Sequence, residues 1–416
     1  VPLVGTIKVL TGRRKDDPPV TSVNGFMLVN SHGRFHLNRA GTGLLGPLSL
    51  PTDERTKSLT NDIMRGGFAI VAAQRAGFDF AQFDENADGR VTSDELLLLI
   101  FDNLTQNDSG AARWANTAGI AGDFTPPEST VSFGMSVALM TQRVSFATLC
   151  HDLSHVLGTK DLYGIWNVTC HGNGYTVMSC TITAADDMRI SHMDPWHKLQ
   201  LGWLEPRIRS LTDGGVEGVA ATQAPATDAP VILYDPARAT SEFFLVEYRT
   251  STSPWDASYE DSLPSNGLGI WHVVHDANKN LMEWVNVGQS VWLEGMPNLQ
   301  RAQDANMLWT SGTTTPALRW SDGAVTRAKI AVRPFAAGDG SIVFEWLNEE
   351  ERWVDFAFAG FENGTFFNPF NTLAEGVAAV PYGGFLNIKA GSRFETASIS
   401  KKMTIQAIGG PVTIGP

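Results

Sequence analysis

The chain has 416 residues, with 31 Lys and Arg against 44 Asp and Glu, a net charge of −13, 43% hydrophobic and 18% charged residues. That length predicts two or three domains with ample cores, and the composition excludes an intrinsically disordered chain. Lys and Arg do not cluster, so a nucleic-acid surface is not expected, and no apolar run approaches the roughly 18 residues that cross a bilayer.

In chain order, residues 6–10, 25–29 and 34–37 read as strands, and residues 59–76 as a helix stopped by Gly77. A helix-like stretch, 74–83, leads into an acidic twelve-residue segment, 84–95, and the apolar run 96–101 follows it. Residues 144–157 carry helical apolar spacing and end at Gly158. Asp194 before Pro195 is an N-cap and N1 pair that opens another helix. Residues 211–230 read as loop. The runs 231–234, 243–248, 269–273 and 341–346 then read as strands separated by turn residues, as in a β-sandwich. The charged cluster 349–352 marks a boundary. Beyond it, 365–373, 378–384, 386–392 and 402–407 look like rungs of a short right-handed β-helix. The expectation is an α+β chain of three domains, 1–210, 211–350 and 351–416.

His151 and His155 are four apart, so on a helix they project from one face and can reach one zinc ion at ~2.0–2.1 Å. Gly158 turns the backbone, and Asp161 can return a carboxylate to the same ion. Three protein ligands with an open fourth position are the pattern of a catalytic zinc site. Residues 84–95 match the EF-hand calcium loop: Asp84, Asn86, Asp88 and Glu95 supply side-chain oxygens, Arg90 a carbonyl, Thr92 a direct or water-borne contact, and Gly89 the turn. A single loop of this kind points to a structural calcium rather than a paired sensor.

The stretch from His151 to Asp161 resembles the H-E-x-x-H-x-x-G-x-x-D motif of immune inhibitor A-like secreted zinc metallopeptidases. Asp161-Leu162-Tyr163, the Tyr175-Thr176-Val177-Met178-Ser179 segment, and the run from Met193 to Trp203 are similar to further signatures of that family. So are Phe244 to Arg249 and the Gly267 to His272 run. The resemblance implies a zincin domain, zinc held by His151, His155 and Asp161, and Met178 in the Met-turn beneath the metal. It implies a protein or peptide substrate cleaved by a zinc-activated water. One position departs: the family's Glu after the first histidine is Asp152 here. That residue is the general base, and Asp is shorter by one methylene, about 1.5 Å. Two readings therefore stay open, an endopeptidase weakened at Asp152 and a catalytically silent structural or binding glycoprotein.

The remaining features fit an extracellular protein. The chain starts at Val1 and is read as a mature secreted form. Sequons stand at Asn103, Asn107, Asn167 and Asn363. Of the three cysteines, Cys170 and Cys180 are the preferred disulfide pair, and Cys150 reads as a buried small hydrophobe with a zinc-ligand role as its alternative. His171, His192, His272 and His275 lack ligand spacing and read as structural. The C-terminal β module offers exposed strand edges for self-association.

Overall fold

The computed structural model describes residues 23–37, 45–58, 62–92, 94–102, 123–134, 137–141, 146–159, 162, 175–178, 191–221, 230–238, 240–250, 266–274, 291–293, 308–315, 317–326, 328–336, 338–348 and 350–415. The chain is a mixed α+β structure with several small sheets. It divides into two compact units, Val1–Trp203 with Ser253–Ser262, and Leu204–Thr252 with Leu263–Pro416. The first division therefore falls before residue 210, and residues 351–416 share a unit with 211–350.

In the first unit, helix α1 spans Val23–Asn30. Its segment reads as a strand from sequence, but Phe26, Met27 and Asn30 are buried together, a spacing that fits one helical face and not an alternating strand. The Asn30 side chain donates to the Phe26 carbonyl at 2.9 Å. Residues 34–37 form no strand either; the Leu37 amide donates to Asn24 and the Phe35 ring stacks on Trp203 at 5.8 Å. Helices α2 (Thr52–Ser58) and α3 (Asp62–Arg75) follow. Arg75 joins Glu54 and Glu128 at 2.9 and 2.7 Å. The helix-like stretch 74–83 is not continuous: α3 stops at Arg75, Gly77 takes φ +92°, and only one 3₁₀ turn, Ala81–Phe83, precedes the acidic segment.

Strands β1 (Arg90–Thr92), β2 (Leu98–Asp102), β3 (Asp123–Phe124), β4 (Ser132–Gly134) and β5 (Val137–Thr141) form two small sheets, ordered β1-β4-β3 and β2-β5. Val91, Phe133, Phe124, Phe80 and Ile70 close one apolar cluster across α3 and the first of these sheets. Helices α4 (Phe146–Val156) and α5 (Pro195–Gln200) complete the described elements of this unit. As the Asp-Pro pair predicts, Asp194 caps α5 by accepting from the His197 amide at 2.9 Å.

The second unit begins with β6 (Arg207–Ser210), β7 (Gly215–Ala220), β8 (Val231–Tyr234), β9 (Glu242–Arg249), β10 (Gly267–Val274), β11 (Val291–Leu293), β12 (Ala328–Val332) and β13 (Ser341–Asn348). One sheet runs β11-β10-β9-β8-β6 and another β12-β13-β7. Val231, Leu233, Phe244, Val246 and Ile270 from the first share a core with Val219, Ile330, Ile342 and Phe344 from the second. The predicted loop 211–230 contains β7. A Cβ on Gly215 would lie 2.4 Å from the Trp346 ring, so the missing side chain admits the tryptophan that packs over the strand. Every residue of β9 is buried, Glu242, Glu247 and Arg249 included, so the strand shows no alternation of buried and exposed positions.

Residues 351–416 supply β14 (Glu351–Val354), α6 (Leu373–Ala379), β15 (Phe385–Arg393) and β16 (Thr404–Ile414). The three strands are parallel in the order β14-β15-β16. Where rungs are expected at 365–373 and 378–384, the structure has irregular chain and helix α6 instead. The helix is set by a Thr-x-x-Glu box: Thr372 accepts from the Glu375 amide at 3.2 Å and its hydroxyl donates to the Glu375 carboxylate. Val354, Leu386 and Ile388 meet Leu373 and Val377 of α6 in a small core.

Candidate metal centre

Helix α4 carries His151, Asp152 and His155, buried, buried and half-buried. One ligand atom of each lies within 4.8 Å of the others, so the group could hold a metal ion. Cys150 and Leu153 of the same helix are both 0% exposed. It ends in a Schellman turn: the Gly158 amide donates to His155 O at 2.9 Å and the Thr159 amide to Ser154 O at 3.3 Å. That turn needs a left-handed residue, and Gly158 supplies it at φ +99°.

The turn does more than stop the helix. It brings the Thr159 carbonyl to His155 Nδ1 at 3.0 Å. His151 Nδ1 meets the Val177 carbonyl at 2.7 Å. A carbonyl only accepts, so both Nδ1 atoms carry the proton, and in the neutral rings both Nε2 atoms present lone pairs. Those Nε2 atoms face each other at 3.1 Å, with the rings nearly perpendicular at 88°. Two ligands of a tetrahedral zinc at ~2.0–2.1 Å stand about 3.3 Å apart, so the spacing fits a shared ion. Two facing lone pairs repel unless a cation, a proton or a metal, lies between them.

Residues 175–178 touch the histidine helix through His151 and the turn after it through Thr159. Met178 is 0% exposed, its sulfur accepts from the Thr159 hydroxyl at 3.5 Å, and its carbonyl accepts from the Leu162 amide at 2.9 Å. The Thr176 hydroxyl accepts from the Met178 amide at 3.2 Å and the Asp194 amide at 3.1 Å, and donates to Asp194 Oδ2 at 2.8 Å. His197 Nδ1 lies 2.6 Å from the same carboxylate. Burial acts to raise the Asp194 carboxyl, but the paired His197 imidazole, the His197 amide and the Thr176 hydroxyl outweigh it and hold the group below its ordinary range.

The acidic segment 84–95 curls on itself. Asp84 accepts from the Asp88 and Gly89 amides at 3.0 and 2.8 Å, and Asp88 from the Arg90 amide at 2.8 Å. Asn86 accepts from the Asp88 amide at 3.0 Å. Glu95 closes the ring, reaching the Glu85 and Thr92 amides at 3.0 and 2.9 Å. The Thr92 amide first, with those of Asn86 and Glu85, holds the Glu95 carboxyl below the ordinary range. Gly89 sits at the tight turn, and β1, which contains Arg90 and Thr92, pairs with β4. The chain leaves the loop into strand β2.

Asp161, the expected third ligand, lies outside the described residues, as do Tyr163, Cys170, His171, Cys180, His275 and the sequons Asn103, Asn107 and Asn167. Cys150 is a free, fully buried thiol whose pKa burial pushes well up, and it stands outside the His151, Asp152 and His155 group. His272 is buried against Glu242 at 2.7 Å, a structural pairing in the second unit. Asn363 is half-buried. It accepts from the Thr365 amide and hydroxyl at 3.1 and 2.8 Å, and its side-chain nitrogen donates to Glu345. Sequence reasoning did not find the parts played by Thr159, Thr176, Val177 and Asp194. Thr176 and Val177 carried a signal only as part of the 175–179 segment, and Asp194 only as a helix cap. No protein-family model matches the chain, and no curated protein matches it.

Proposed function

We propose that the chain is a secreted zinc-dependent endopeptidase with a zincin-type first domain of the immune inhibitor A kind. The observation that carries the reading is the histidine pair on α4, whose Nε2 atoms face each other at 3.1 Å while main-chain carbonyls take both Nδ1 atoms. Metal-binding histidines are oriented in this way by outer hydrogen bonds. His151 and His155 would hold the ion with Asp161 as the third ligand, and Met178 beneath. A bound zinc ion supplies Lewis acidity toward a scissile carbonyl and lowers the pKa of water. In this reading Asp152, on the same helix face, accepts the proton and later returns it to the leaving amine. The 84–95 loop would hold one calcium through Asp84, Asn86, Asp88, Arg90 O, Thr92 and Glu95, as a structural ion.

A second reading rests on Asp152 itself. With its carboxylate about one methylene short, the centre keeps its metal and loses the reaction, and the chain is a structural or binding glycoprotein that associates through residues 351–416. Metal analysis of the purified chain, with a casein or peptide digest run with and without chelator, separates the two. Zinc with chelator-sensitive cleavage supports the endopeptidase. Zinc without cleavage supports the second reading, and a chain that takes up no zinc sinks both.

A further inference from the structure

We infer that Asp194 and Thr176 are positioning residues for the two histidines, an inference that rests on the metal-site reading above. The 176–178 turn touches both imidazole supports at once. Its Val177 carbonyl takes the His151 Nδ1 proton at 2.7 Å, and its Met178 sulfur takes the hydroxyl of Thr159, whose own carbonyl takes His155 Nδ1 at 3.0 Å. Whatever fixes this turn therefore fixes the tautomer and aim of both rings.

The turn is held by two main-chain bonds, from the Val177 amide to the His192 carbonyl at 3.2 Å and from the Leu162 amide to the Met178 carbonyl at 2.9 Å, and by one side chain. The Thr176 hydroxyl uses its single proton on Asp194 Oδ2 at 2.8 Å and its lone pairs on the Met178 and Asp194 amides at 3.2 and 3.1 Å, so its bonding capacity is filled. Asp194 is 0% exposed and is itself held as the N-cap of α5, with Oδ1 on the His197 amide at 2.9 Å and Oδ2 against the His197 ring at 2.6 Å. Neither residue reaches the metal group; each acts through the turn. A valine at 176 keeps the shape of threonine and removes all three bonds, leaving buried amides and a buried carboxylate oxygen without that partner. The Val177 carbonyl then loses its fixed direction, and His151 is free to take either tautomer.

The experiment uses the full chain and cobalt(II) or zinc ion as the probe. Metal affinity is measured by competition with a chromophoric chelator, and the ring nitrogens of His151 are followed by ¹⁵N NMR in the metal-free protein. The expected results are an Nδ1-protonated His151 in the wild type, a mixture of tautomers in Thr176→Val with metal affinity lowered about 10–100-fold, and recovery of both in Thr176→Ser. Asp194→Asn keeps a helix cap but loses the charged acceptor. It is expected to lower affinity in the same direction, and it serves as the test if the valine variant does not fold. A variant that melts at a lower temperature yet keeps the wild-type affinity and tautomer would overturn the positioning role and leave the metal site standing. A wild-type chain that binds neither ion would overturn the metal site and this inference with it.

Discussion

The two candidate ion sites of the first unit are built in opposite ways. On α4 the two candidate histidine nitrogens belong to one buried and one half-buried ring, each aimed by a carbonyl on the other side of the ring. In the 84–95 loop the oxygens that would serve as ligands are carboxylate and amide oxygens near the surface, and amides of the loop itself already engage them. The first takes its geometry from a local turn at Thr159 and from a segment distant in sequence at Val177. The second draws its geometry from twelve consecutive residues, and an ion there competes with internal hydrogen bonds for the same oxygens. An aimed nitrogen site suits chemistry, which tolerates little displacement, while a self-contained oxygen loop suits a stabilising ion.

The sharpest way to break this contrast is His155→Ala. It removes one of the two converging nitrogens and is expected to abolish zinc binding and any cleavage, read by metal analysis and a peptide digest, while calcium uptake persists. Asp152→Glu comes next. If the site is intact apart from the short carboxylate, cleavage should rise by roughly 10–10³-fold with zinc affinity barely moved. An inert, zinc-loaded Asp152→Glu protein would favour the non-catalytic reading.

The loop should respond to a different handle. Removing calcium, with zinc restored, should lower the thermal midpoint by roughly 5–10 °C relative to calcium at a hundredfold excess over Kd. Glu95→Gln should abolish that difference, because the bidentate oxygen pair is lost. A midpoint indifferent to calcium would remove the loop from the comparison. The smallest effect concerns acid. The folded Asp194 carboxyl sits below its ordinary value, so its stabilising contribution is complete above an unfolded pKa of about 3.9 and is lost as pH falls through the folded pKa. Denaturation below pH 4 should therefore be less steep in Asp194→Asn than in the wild type.

What was legible in the sequence follows the reach of each signal. Helices α4 and α5 were readable because their punctuation is local: Gly158 after one, Asp194-Pro195 before the other. The 84–95 loop was readable because its pattern is closed within itself. Helix α1 was misread since a five-residue apolar run fits helix or strand alike, and only burial of Phe26, Met27 and Asn30 on one face decides. Strand β7 was missed because its glycines look like loop, and the partner that explains Gly215, Trp346, lies far along the chain. The support of the histidines was illegible for the same reason. Thr176 and Val177 have no spacing relation to α4, and their role exists only once the fold brings their turn against it.

The two outer strands of the 351–416 sheet use their main chain differently. On the β14 side the outer main chain is already spent, since Trp353 pairs with Gly364 and Phe370, and Asp355 with Phe370, each at 2.9 Å. On the other side β16 ends the sheet among the described residues, and most of its length is exposed. Among the described residues the two outer strands therefore differ: β14 spends its outer main chain on its own loop, whereas β16 keeps most of its length exposed.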